Sequence, residues 1–148
     1  MEVRIITENK KQYLPLLLLG DEQESMIDRY LEQGELLALY DGGLRTVCVV
    51  CDNGGGEYEI KNLATEPAYQ GKGYGRAMMD YVCSYYRPRC RRMLVGTGDS
   101  PLTLPFYRKC GFRECGRVKN FFLQHYDHPI WEGGKLLTDM IYLEKLLD

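Results

Sequence analysis

Two rhythms organise the apolar residues of this chain. Tyr74, Ala77, Met78, Tyr81, Val82 and Tyr85 recur at steps of three and four, which gathers them on one face of a helix over residues 73–86. Pro88 ends it, because its ring cannot continue a helical turn. Strand-like runs occupy residues 3–7, 35–40, 44–50, 57–65, 93–96, 112–117 and 136–143. Asp41-Gly42-Gly43 reads as a hairpin turn and residues 52–56 as a second, glycine-rich one. Two further helices are expected over 10–19 and 21–33, stopped by Gly20 and Gly34. A last helix opens with Ser100 or Thr103 as its N-cap, is made irregular by Pro105 and stops at Gly111. About six to seven strands with about four helices in this order predict an α/β layer fold around a central mixed sheet. The 148 residues predict one domain, 1–148.

The run 57–65 breaks its own alternation. Tyr58 and Ile60 share a face, but the next large apolar residue is Leu63, so the parity slips by one. A β-bulge within residues 61–64 accounts for the slip and would leave backbone groups unpaired. The plainer alternative is a regular edge strand with Lys61 and Asn62 in solvent.

Composition narrows the function. A net charge of −2 carries no footprint for nucleic acid. No run of about 18 apolar residues is present to span a membrane, and Met1-Glu2-Val3-Arg4 lacks the start of a signal peptide. A cytoplasmic protein with no membrane partner is expected. Its six cysteines (48, 51, 83, 90, 110, 115) then read as reduced thiols. Cys48 and Cys51 form a C-x-x-C, but strand alternation sends them to opposite faces, which argues against a shared metal. His125 and His128 lack a third ligand and precede Pro129, so no metal is expected there either.

The chemistry begins at Gln70-Gly71-Lys72-Gly73-Tyr74-Gly75-Arg76, between the 57–65 strand and the 73–86 helix. Strand, glycine turn and helix start aim unpaired N–H groups and the positive end of a helix at one point, a site for anions and above all phosphate. The glycines let the backbone come close to a ligand, and Lys72 and Arg76 add positive charge. The spacing excludes two common phosphate loops. A P-loop needs Gly-Lys-Ser/Thr after four intervening residues, and a dinucleotide fingerprint needs two residues before its last glycine where this chain has only Tyr74.

The loop resembles the Gln/Arg-x-x-Gly-x-Gly/Ala signature of the GNAT superfamily of acyl-CoA-dependent N-acetyltransferases. Phe106-Tyr107-Arg108-Lys109-Cys110-Gly111-Phe112 resembles that family's later motif, and residues 59–67 resemble its central strand entering the loop. The likeness is close over residues 57–117 and follows element order elsewhere. It implies a GNAT-like sheet with a bulge in the central strand, acetyl-CoA as co-substrate and acetyl transfer to a primary amine, on a small molecule or a protein. It also implies a cofactor site of Ala64, Thr65, Gln70, Gly71, Lys72, Gly73, Tyr74, Gly75, Arg76 and Tyr107. Family members are often dimers, and the apolar final strand would permit pairing.

Acetyl transfer to an amine has three requirements. The amine must lose a proton, since an alkylammonium with a pKa near ~10.4 is no nucleophile at pH 7. The carbonyl oxygen must be stabilised as it gains charge, and the departing thiolate gains from a nearby acid. By resemblance, Glu59 is the general base, with Glu57 and Glu66 in reserve, the Thr65 N–H is the oxyanion donor and Tyr107 the acid. Glu59 could equally be an exposed strand carboxylate, and Tyr107 could pack helix on sheet. Residues 118–135 hold Phe121, Phe122, Tyr126 and Trp131, and either line the acceptor pocket or form an extended closing hairpin. Asp99, Asp127 and Glu132 could draw a cationic amine. Three other readings remain: an acyltransferase using succinyl- or propionyl-CoA, a CoA sensor without turnover, and a nucleotide binder using the same glycine turn.

Overall fold

A computed structural model describes residues 1–147. Seven strands form one sheet: β1 (Glu2–Ile6), β2 (Glu35–Tyr40), β3 (Leu44–Gly54), β4 (Glu57–Thr65), β5 (Arg92–Gly98), β6 (Arg113–Val118) and β9 (Met140–Leu146). The order is β1-β2-β3-β4-β5-β9-β6, and β4 beside β5 is the one parallel pair. Helices cover both faces: α1 (Leu14–Gly20) and α2 (Glu24–Ile27) on one, α3 (Tyr74–Tyr86) and α4 (Thr103–Lys109) on the other. Double coverage explains why Val47, Cys48, Val49 and Val50 are all buried in succession, where a one-sided sheet would alternate. Cys48 packs on the α3 side and Cys51 on the α1 side, as alternation requires.

Several elements differ from the sequence reading. The helix expected over 10–19 starts as a 3-10 turn, Lys10–Tyr13, before becoming α1, with Pro15 in its first turn. The helix expected over 21–33 is α-helical only for the four residues of α2 and continues as turns to Gly34. The last strand runs Met140–Leu146 rather than 136–143. Residues 118–135 are neither bare loop nor one long hairpin. They hold α5 (Phe121–His125) and β7 (Trp131–Glu132), which pairs with β8 (Lys135–Leu136).

The bulge in β4 is present. Val49 pairs with Asn62 and the next residue, Val50, pairs with Ile60, so Lys61 is the extra residue. Ile60 and Leu63 consequently both pack towards α3, although three positions apart, while Ala64 packs towards α1. On its other edge, β4 pairs with β5 only as far as Ile60 opposite Val95. Both strands continue beyond that point without partnering each other, which opens a gap in the middle of the sheet.

Candidate active site

The gap is a cleft of about 230 Å³. Ile60, Lys61, Asn62 and Leu63 form one wall, Val95, Gly96, Thr97 and Gly98 the other, and Tyr107 of α4 lies against it. The Glu66 N–H donates to the Arg45 carbonyl (2.8 Å), and the same register pairs Ala64 with Val47. Residues 64 and 66 therefore turn their backbone groups to β3. Alternation turns those of Leu63 and Thr65 to the unpaired side, into the gap. The sequence reading singled out Thr65 and Ala64. Leu63, which it did not, is the one that shares the cleft with Tyr107, whereas Ala64 buries its methyl under α1.

At the end of β4 the glycine loop enters α3. Gly71 and Gly73 have φ of +77° and +88°, and a Cβ at either would meet no atom within 4 Å. Glycine is needed there for backbone conformation, and the space beyond is open. The first helical bond runs from the Ala77 N–H to the Gly73 carbonyl (3.0 Å). The N–H groups of Tyr74, Gly75 and Arg76 are left without intrahelical partners, and no side chain caps them. Gln70 donates its side-chain amide to the Thr65 carbonyl (3.1 Å), tying loop to strand. Arg76 pairs with Asp80 (3.3 Å) on the next turn. Arg45 stacks 3.6 Å from the Tyr69 ring and Lys72 lies 5.6 Å from it, so two cations border the loop from one aromatic platform. Arg45 had no signal in the sequence, because a neighbouring strand delivers it.

A family model for an acetyltransferase (GNAT) domain matches residues 32–114, over half the chain and including both motifs. The chain belongs to the GNAT acetyltransferase family. The N-acetyltransferase YvbK of Bacillus subtilis is 33% identical over 146 residues, spanning 97% of this chain and 94% of YvbK. A GNAT acetyltransferase from Elizabethkingia anophelis, crystallised with acetyl-CoA bound, is 34% identical with a TM-score of 0.92, over 99% of this chain and 97% of that one. A Bacillus subtilis acetyltransferase crystallised with CoA is 33% identical with a TM-score of 0.88, over 99% and 98%. This GNAT protein is an N-acetyltransferase.

The polar groups of the acetyltransferase divide between the cleft and a second cavity of about 220 Å³, joined by shared walls at Asp21, Lys61, Gly96 and Tyr126. Tyr107 is 6% exposed, its ring between Phe106 and Phe112 (centroids 5.2 and 5.7 Å), so it also packs helix on sheet. Burial pushes its pKa up, which keeps the phenol protonated. Glu59 is 9% exposed and opens to the second cavity, so it is no solvated strand carboxylate. It pairs with Lys61 (3.1 Å) and accepts from the Asn53 side chain (3.0 Å). Glu57 is bound by Arg92 (2.6 Å) and Asn53 (2.9 Å), and the Asn53 bond is the main reason its pKa is lowered.

Phe122, Tyr126, Ile130 and Glu132 of the 118–135 segment line the cleft. Phe122 and Ile130 pack with Leu137 as a small cluster beside the cleft, and Glu132 enters the cleft from β7. Burial raises the Glu132 pKa, and the Ser100 hydroxyl donates to it (2.9 Å). Asp21 accepts from Tyr30 (2.8 Å) and Tyr126 (2.7 Å), but burial still raises its pKa. Asp99 is occupied by Lys135 (2.9 Å) and Thr138 (3.1 Å), and Asp127 by His128 (2.6 Å). Among the described residues no group of three or more His, Cys, Asp or Glu could hold a metal, and no helix is long and apolar enough to cross a membrane.

Proposed function

We propose that this acetyltransferase moves an acetyl group from acetyl-CoA to a primary amine by direct attack, with the thioester lodged between β4 and β5. The observation that carries the reading is a single one: the sheet opens where Tyr107 and the bulged strand meet, one strand-end away from uncapped helix amides. The residues fit the co-substrate. The amides of residues 71–76, with Lys72 and Arg76, suit a pyrophosphate, and the glycines leave room for it. Gln70 holds the loop to the strand. The bound thioester supplies an activated carbonyl and a thiolate leaving group.

Each remaining role follows from position. The Leu63 and Thr65 N–H groups offer themselves to the carbonyl oxygen and the adjoining arm of the co-substrate, Leu63 lying nearer Tyr107. Tyr107 donates its phenolic proton to the departing sulfur. Glu59, in the adjoining cavity, takes the proton of the incoming amine through water.

The test is thiol release from acetyl-CoA in the presence of amines. Tyr107→Phe should lower kcat about 100-fold while leaving acetyl-CoA affinity unchanged, because the ring and its packing remain. Full turnover by the variant across the pH range would remove Tyr107 from the chemistry.

A further inference from the structure

The acceptor end of the cleft is anionic and otherwise greasy. Asp21, Glu22 and Glu132 all line it, with Phe122, Tyr126 and Ile130 between them. Lys61 is the one cation among the lining residues, and it is already paired with Glu59. Outside the cleft, His128 lies 4.0 Å from Glu22, and Lys135 is held by Asp99. Glu132 receives a single donor, from Ser100, and feels Glu22 as a like charge. An independent feature in the same cleft also wants a ligand. Asn62, 3% exposed, leaves its Oδ1 without a donor. Buried polar groups left this way are costly unless something binds them.

Acceptors gather at this end of the cleft, so it complements a ligand that only donates. An ammonium is such a ligand. The reacting nitrogen, however, must be neutral, and a carboxylate beside it favours the charged form. Carboxylates crowded around one reacting amine would slow the attack. They make sense if they hold a second, non-reacting cation while the first nitrogen reaches the thioester.

Resting on the acetyl-transfer reading above, we propose that the acceptor is an aliphatic diamine or polyamine whose non-reacting ammonium is held by Glu132 and Glu22, with its methylenes against Phe122, Tyr126 and Ile130. Glu132 is then a specificity-determining residue, and an acceptor with a carboxylate at the far end is rejected by repulsion.

The experiment compares 1,5-diaminopentane with 6-aminohexanoate, acceptors of similar length that differ in the charge of the far end, using thiol release from acetyl-CoA. The diamine should be preferred at least tenfold in kcat/KM. Glu132→Gln keeps an oxygen for the Ser100 hydroxyl but loses the charge. It should reduce that preference at least tenfold, mainly by raising KM for the diamine, with acetyl-CoA affinity unchanged. Glu22→Gln should act in the same direction and more weakly, since Glu22 is more exposed. Equal use of both acceptors, or a preference untouched in Glu132→Gln, overturns the proposal and leaves acetyl transfer standing. Acetyl-CoA binding without thiol release to these acceptors or to any amine in a wider panel overturns the acetyl-transfer reading itself.

Discussion

The residues that make this site differ in how they reach it. Gln70 to Arg76 and Tyr107 sit in contiguous motifs, marked by the glycine turn in the one case and by resemblance to the family in both. Leu63 and Glu132 have no such mark. Leu63 matters for the direction of its N–H, which depends on the bulge at Lys61. Glu132 arrives only because a short hairpin folds back over Ser100. Glu132 is also held in a setting that works against folding. Its pKa is raised in the native protein, so between the unfolded value and the native one the folded state binds more protons. Its contribution to stability is therefore complete below pH ~4 and is lost as the pH rises through the native pKa. Glu132→Gln should melt at a higher temperature than the wild type at pH 7, with the difference closing towards pH ~4. Scanning calorimetry at the two pH values checks this, and a variant that melts lower at pH 7 would show the carboxylate to be a stabilising group.

Among elements, those with a clean period were readable. The α3 face repeats without interruption, and the β4 bulge announced itself as one slipped parity step. Residues 21–33 misled because apolar Met26, Ile27, Tyr30 and Leu31 fall at helical spacing, yet the short α2 and the turns after it bury the same four side chains without a continuous helix. In the 118–135 region the available signal was Gly133-Gly134. Both have positive φ (+57° and +78°), as a two-residue hairpin turn requires. The bulge offers an element-scale test. Deleting Lys61 would remove the bulge and leave Ile60 and Leu63 two positions apart, so both keep the α3 face and Asn62 keeps the other. Apolar packing is then kept and the melting temperature should stay within about 4 °C of the wild type, while β4 loses the bend beside the cleft and thiol release should fall by about tenfold or more. A deletion variant that turns over acetyl-CoA like the wild type would mean the bulge does not shape the cleft.

At the scale of the whole molecule, the layer architecture followed from the order of strands and helices, but the strand order did not. β9 inserts between β5 and β6, pairing with β5 across everything from α4 to β8 and set by no local signal. That insertion completes β5 on its far side while its near side parts from β4, so the sheet stays whole around an opening. Both helical layers then reach the opening, α4 from one side and the α1–α2 junction from the other. The account depends on acetyl-CoA using that opening. Backbone amide NMR of the ¹⁵N-labelled protein, titrated with acetyl-CoA, tests this directly. The largest shifts should fall on the amides of residues 71–76 and of Leu63 and Thr65. Binding that leaves those amides unmoved while others shift would contradict it.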